Sequence, residues 1–187
     1  MRCRVGTALD VPRIVSSRED IVPTVAYAEV PTPVGDFHVA VTEQGLVATG
    51  WRAFDGPAGL AEVHDPDRTA PVVAELNRFF DGTLREFAVP IDWRLTAGSR
   101  RKVLQALHRV PYGRVVTYGE LAELSGTRVP PRGIGSIMGA NPIPIVVPCH
   151  RVLAASGLGG FSGGVGVETK RWLLTHEGYL QPTLLDL

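Results

Sequence analysis

Cys149 follows an apolar run over residues 143–147 and sits in Pro148-Cys149-His150-Arg151-Val152, flanked by two basic side chains. Such an electropositive setting is expected to lower the thiol's pKa and raise its thiolate fraction, the chemistry of a nucleophile. A cysteine after an apolar run is more often an inert buried side chain, so the assignment needs partners. His150 is a candidate general base, acting directly or through a water, and Glu177 a candidate to orient it. Glu177 and His176 are neighbours near the end of a predicted helix, where adjacent residues point in different directions. At most one of them is expected to face the site.

The glycine-rich stretch over residues 157–166 has three readings. It lacks G-x-x-x-x-G-K-[ST] and any G-x-G-x-x-G placed between a strand and a helix, so it is no nucleotide loop. Gly160-Phe161-Ser162-Gly163-Gly164 matches G-x-S-x-G, but no strand precedes it and few residues follow to supply an acid and a histidine, which makes a serine-hydrolase elbow a chance match. The third reading is a mobile lid over a pocket beside Cys149, with glycines letting backbone approach a flat ligand.

These residues need elements to hold them. Short apolar runs at 25–27, 37–41 and 46–49, separated by Pro31, Pro33, Gly35 and Gln44-Gly45, predict antiparallel strands joined by tight turns. Residues 55–71 read as a surface connection, and Val72, Val73, Leu76, Phe79 and Phe80 then recur at helical spacing up to Asp81-Gly82. Farther on, Ser99 is the expected N-cap of a helix that buries Val103, Leu104, Leu107 and Val110. A second helix is predicted over 118–124, closed by Gly126. A third segment, from Arg132 to Asn141 behind Pro130-Pro131, is built of small residues. The last two resemble a helix-turn-helix, and small side chains would let the second helix approach a nucleic-acid groove, although tight helix packing explains them equally well. Residues 143–147 read as β-like, and a last helix over 168–177 buries Trp172, Leu173 and Leu174 before Gly178. The domains expected are a flexible leader (1–23), an α+β unit (24–93) and a helical unit (94–187).

With 44% hydrophobic residues, the 187-residue chain has material for a core, yet its longest apolar runs fall far short of a membrane span and the N-terminus lacks a signal-peptide core. Two cysteines, Cys3 and Cys149, are too few for a disulfide scaffold or a cysteine-based zinc site, so a reducing, cytoplasmic setting without metal is expected. The net charge of zero hides an asymmetry: residues 1–93 carry 8 Lys+Arg against 14 Asp+Glu, and residues 94–187 carry 11 against 5. A basic second half fits an approach to phosphates; chance segregation of surface charge is the plainer alternative.

The run from Asn141-Pro142 through Pro148-Cys149-His150-Arg151-Val152, with Ser156-Gly157, Gly163-Gly164 and Leu173-Leu174-Thr175-His176-Glu177-Gly178, closely resembles the methylated-DNA–protein-cysteine methyltransferases, or O6-alkylguanine-DNA alkyltransferases. Pro111-Tyr112-Gly113 and Thr117-Tyr118-Gly119-Glu120-Leu121-Ala122 extend the similarity. The resemblance implies an α+β protein with an RNase-H-like N-terminal domain and a helical, winged helix-turn-helix-like active-site domain. It implies direct repair: binding of double-stranded DNA, flipping of an O6-alkylated guanine (or an O4-alkylated thymine) and irreversible alkyl transfer to the protein's own cysteine. Carried over by position, Cys149 is the acceptor, His150 and Glu177 its proton relay, Asn141 a brace for the turn, and Tyr118 a donor toward the guanine ring. Val152, Phe161, Ser162 and Met138 would contact the base. Arg132 would fill the gap left by the flipped nucleotide, with Tyr118, Gly133 and Ser136 also on DNA. A monomer that needs no cofactor, contacts no membrane and acts once is implied. Departures from the family pattern stand out: the lid aromatic is Phe161 where tyrosine is common, the chain between Phe161 and Lys170 is about two residues longer, and Ser99 and Leu104 stand at positions, core ones by the resemblance, where the family usually has phenylalanine and tryptophan.

Competing functions are a non-catalytic module that only recognises alkylated bases, against which Cys149 itself argues, and a cysteine hydrolase using Cys149 and His150. The latter needs a directly bonded pair that adjacent residues rarely form, and it leaves Arg132 without a purpose.

Overall fold

The computed structural model describes residues 23–53 and 59–182; the expected leader lies outside these except for Pro23. β1 (Thr24–Val30), β2 (Phe37–Thr42) and β3 (Gly45–Gly50) form an antiparallel sheet, with a short β4 (Ala61–Glu62) parallel to β1, in the order β3-β2-β1-β4. The strands arise where apolar residues alternate: Phe37, Val39 and Val41 all point to the main core. Covering that face is α1 (Pro66–Phe80), which buries Val72, Leu76 and Phe79. The connection before α1 is shorter than residues 55–71. Asp65 accepts from the backbone N–H of Arg68 and Pro66 occupies the first helical position, so the cap sets the start and Pro71 is taken into the helix.

In the second half, α2 (Gly98–His108) starts after Ala97, whose side chain makes no cap bond; Ser99 lies inside the first turn and is exposed, neither cap nor core. Leu104 is fully buried as expected. Next come β5 (Val116–Thr117), α3 (Tyr118–Leu124), α4 (Pro131–Gly139), β6 (Val152–Leu153) and α5 (Val167–His176). A reciprocal capping box starts α3: Glu120 N–H donates to Thr117 Oγ1, while the Thr117 N–H donates to Glu120 Oε2 at 2.6 Å. Proline opens α4, and Gly133 there has a packing reason, since an added Cβ would lie 2.8 Å from Val129 Cγ1. Gly139 faces open space. In α5, Leu173 and Leu174 are buried as expected, with Trp172 half-buried and Glu177 at the C-cap.

Residues 143–147 are no strand. Two prolines punctuate the run, Ile145 takes φ 74°, and the segment turns back on itself while burying Ile143, Ile145, Val146 and Val147. Its polar backbone finds partners in both halves: Thr49 N–H donates to Pro142 O at 2.9 Å, Thr49 Oγ1 to Pro144 O at 2.8 Å, and His108 Nδ1 meets Val146 O at 3.1 Å. One core runs through both halves, from Phe37, Leu46 and Phe79 to Leu104, Leu121, Val147 and Leu173.

Within the N-terminal half, the strand turn at Gly45 packs closely against Pro90. Its φ is +130°, and a Cβ there would lie 2.2 Å from Pro90 O, whose carbonyl accepts the N–H of Leu46. Gly45→Ala should lower the free energy of unfolding by roughly 2 kcal/mol or more, whereas Gly119→Ala, inside α3 with no close neighbour, should be neutral or slightly stabilising. Urea titrations of the two variants check the contrast.

Candidate active site

A 3₁₀ turn over Cys149–Arg151 leads directly into β6, which pairs with β5 through Val116–Val152 and Thr117–Leu153. The turn that holds the thiol is thereby fixed to the start of α3, where Tyr118 stands. Asn141 spans the preceding loop: its Nδ2 donates to Val147 O at 2.7 Å, and its Oδ1 accepts from Ile143 N–H at 3.1 Å.

Behind Cys149 lies a buried ionic cluster. His150 Nε2 is 2.8 Å from Glu177 Oε1, and both side chains have zero exposure. Arg151 donates to the same carboxylate through Nε at 3.0 Å and through the terminal nitrogen at 2.7 Å, and its other terminal nitrogen donates to Val110 O. The Gly113 N–H adds a fourth donor at 3.2 Å. Burial opposes ionisation of Glu177, but the hydrogen bonds from His150 and Arg151 and the Arg151 charge outweigh it and bring its pKa down to about 2. Burial pushes His150 the other way, toward the neutral form, against the pull of Glu177. An ionised Glu177 and a neutral His150 place the imidazole proton on Nε2; Nδ1, which is buried and has no hydrogen-bond partner, is left with its lone pair. His176 faces elsewhere, stacking on Trp172 and meeting Phe79 O at 2.7 Å, so one of the two neighbours serves the site, as expected.

The thiol corrects an expectation. Burial raises the pKa of Cys149, outweighing the hydrogen bond from Asn141 and the charge of Lys170. Arg151, expected to favour the thiolate, is spent on Glu177. Cys149 is 7% exposed yet lines two adjoining cavities, so the sulfur is reachable. The first, about 280 Å³, is walled by Tyr118, Gly135, Met138, Gly139, Gly160, Phe161 and Ser162, which brings four of the expected site residues to one place. Burial raises the pKa of Tyr118, and a thiolate at Cys149 raises it further, keeping the phenol a donor. Ser162 is exposed, and no strand precedes it. Arg132 and Ser136 are exposed one turn apart on α4, with Gly133 half-buried beside them.

Lys170 is the functional residue that the sequence reading passed over. It is buried in α5, and Nζ donates to Val152 O at 2.6 Å, Leu158 O at 2.5 Å and Gly160 O at 3.4 Å, tying the glycine-rich stretch to β6. Desolvation lowers its pKa to about 8 despite the attraction of Cys149. A lysine on the inner face of a helix, four residues from a glycine-rich run, was the available signal. Val152, expected to contact the base, has its carbonyl engaged by Lys170, which leaves that oxygen's second lone pair for another donor.

The folded-state pKa of Glu177 lies below its unfolded value, so its contribution to stability is present above about pH 4.5 and lost as the pH falls toward 2. Glu177→Gln leaves Arg151 buried without its counter-charge and should destabilise the protein at pH 7 by roughly 3 kcal/mol. Denaturant titrations at pH 7 and pH 3 should show that gap narrowing in acid; an equal gap at both would contradict the charge assignment.

Comparison with known proteins agrees with this architecture. Residues 98–179 match the family model described as 6-O-methylguanine DNA methyltransferase, DNA binding domain, and residues 25–93 match its ribonuclease-like domain. The Mycobacterium tuberculosis protein named methylated-DNA–protein-cysteine methyltransferase is 38% identical over 165 residues, 86% of this chain and 97% of that one. The human protein of the same name is 35% identical over 163 residues, 79% of this chain and 78% of that one. A crystal structure of Mycobacterium tuberculosis OGT in complex with DNA superposes with a TM-score of 0.73 at 35% identity, covering 87% of this chain and 98% of that one. By motif, site architecture and near-full-length similarity, the chain belongs to the methylated-DNA–protein-cysteine methyltransferase family.

Proposed function

We propose that this protein repairs DNA directly, moving the alkyl group of an O6-alkylated guanine in duplex DNA onto Cys149, once per molecule. The observation that carries the reading is the placement of Cys149 at the floor of a cavity walled by α4 and Tyr118, with a neutral, oriented imidazole behind it. Because burial keeps the thiol protonated, a base has to remove its proton. His150 Nδ1 is the available lone pair, reached through a bridging water, and Glu177 stabilises the imidazolium that forms. The thiolate then attacks the alkyl carbon; the carbon–oxygen bond breaks with its electron pair left on O6, and the guanine ring nitrogen takes up a proton, helped by the Tyr118 hydroxyl. The product thioether has no base or nucleophile to reverse it. Lys170 favours the thiolate by its charge and orders the backbone that closes over the base.

The remaining roles follow from position. Phe161 and Met138, which both line the first cavity, contact the purine, Ser162 and the Cys149 and Val152 carbonyls meet its polar edge, and Asn141 keeps the thiol turn rigid. Arg132, exposed on the first turn of α4, replaces the flipped base in the stack, with Gly133 beside it and Ser136 one turn on also against DNA. We take residues 24–93 and 94–187 as the two domains of a monomer that acts in the cytoplasm. Among the described residues, no helix is long and apolar enough to cross a membrane.

Incubation with duplex DNA containing O6-methylguanine should add one methyl group per protein, located on Cys149 by mass spectrometry and absent in Cys149→Ala. Binding without a mass change would instead identify a recognition module, and turnover of an ester or amide a hydrolase. Flipping a base costs a few kcal/mol, so Arg132→Ala should slow repair of duplex DNA roughly 10- to 100-fold while leaving reaction with a free alkylguanine base nearly unchanged. Equal slowing of both would remove the stacking role.

A further inference from the structure

A cavity of about 500 Å³ that does not include the thiol lies between residues 85–87, the end of α2 and the turn after it. Its lining brings three guanidiniums to one place, those of Arg85, Arg109 and Arg151. Arg85 and Arg109 are exposed, and among the described residues neither side chain makes an ion pair or a hydrogen bond. Arg85 lies over the Tyr112 ring, 5.7 Å from its centre, and Arg151 lies 5.9 Å from the same centre. Among the described residues of the lining, one carboxylate, Glu86, is exposed and pairs with none of the three. Arg151 differs from the other two, because it is 6% exposed and already partly used. Nε and one terminal nitrogen donate to Glu177, and the other terminal nitrogen donates to Val110 O. A guanidinium carries five N–H groups, so two remain, one on each terminal nitrogen. Buried donors are normally satisfied, and the cavity is the space beside these two.

We propose that this cavity is a phosphate-binding site, with Arg85 and Arg109 as its outer clamps and Arg151 as its floor. Two arginines without a counter-charge and a third with unused donors match a tetrahedral oxyanion, which accepts charge-assisted N–H bonds from several directions. With Glu86 and Glu177 counted against the three arginines, the lining keeps a net positive charge. Its apolar part, Val110, Val146 and the Tyr112 ring, lowers the local dielectric and strengthens the attraction. The Tyr112 ring is held in place beneath Arg85, since its hydroxyl donates to His176 O at 3.0 Å. The cavity is larger than one phosphate needs, so the group can arrive on a larger body, as a free phosphomonoester or as part of a nucleic-acid backbone. Arg151 also clamps Glu177, which places the bound phosphate one guanidinium away from the relay. The site does not depend on the alkyl-transfer reading of Cys149, because Arg85 and Arg109 have no part in that chemistry.

The test is thermal unfolding of the whole protein in inorganic phosphate and in chloride of equal ionic strength. Phosphate titrated to about ten times its Kd should raise Tm by roughly 3 °C, the shift such occupancy gives a chain of this size. Arg85→Gln and Arg109→Gln, both at exposed positions, should unfold near the wild-type Tm in chloride and each lose most of the phosphate shift. Phosphate also stabilises proteins through its exclusion from their surface, an effect that is equal in all three proteins. An equal shift in all three, or no shift in the wild type, would overturn the proposal. Binding of undamaged duplex DNA then identifies the source of the group. If the DNA backbone supplies it, each variant should weaken duplex binding and reduce the salt slope by about one. An unchanged duplex affinity, with the phosphate shift lost, assigns the site to a free phosphomonoester.

Discussion

The site depends on one carboxylate held in the interior. Glu177 has no solvent contact, and a lone charge there would be several kcal/mol unfavourable. Its four donors come from separate places: His150 and Arg151 in the thiol turn and Gly113 in the turn after α2, with Glu177 itself ending α5. Satisfying the carboxylate thus ties three segments into one arrangement and orients the imidazole. It also sets the tautomer, because an ionised Glu177 draws the proton of His150 onto Nε2 and frees Nδ1. A structural requirement, neutralising a buried charge, prepares the base.

The same cluster explains why the resting thiol is not the thiolate that its neighbours suggest. Three cationic or basic side chains lie near Cys149, but each is committed elsewhere: Arg151 and His150 to Glu177, and Lys170 to three backbone carbonyls. Desolvation then decides. For a protein that spends its nucleophile once, this is an advantage. Oxidants and stray electrophiles react with thiolates, and susceptibility follows thiolate character and exposure. In the proposed reaction, a protonated, 7% exposed sulfur survives until a bound base brings both the substrate and the exclusion of water.

Much of this was legible in the residues. The strands, the span of α3 and the Cys149-His150-Glu177 set could be read because they rest on local signals: alternation, a capping box, and a dense motif. The misreadings came where a distant contact overrides the local one. Residues 143–147 have β-forming composition, but Thr49 and His108 capture their carbonyls and turn them into a loop. Arg151 looked like an activator of its neighbour because its partner, Glu177, lies 26 residues on. Ser99 has the composition of a cap, but the helix is capped two residues earlier, at Ala97. Lys170 carried no motif, and only folding places its ammonium under the glycine-rich backbone.

The N-terminal half has no residue in the relay, yet the relay is held from it. Thr49 at the end of β3 bonds two carbonyls of the loop that delivers Cys149, and Phe79 O at the end of α1 takes the His176 ring one residue before Glu177. Trp51 supports Phe161, the aromatic wall of the base cavity, from the same side. The loop over residues 142–148 has no ladder of its own and includes a non-glycine residue at φ 74°, so it cannot keep its shape unaided. In the proposed reaction α4 meets DNA on one face, and the nucleophile has to stay aimed while a nucleotide is turned into the protein. Bracing the thiol loop from the opposite side by a sheet lets α4 stay thin, with glycines where the base enters, without leaving the sulfur loose. That division of labour gives a physical reason for the single core that runs through both halves.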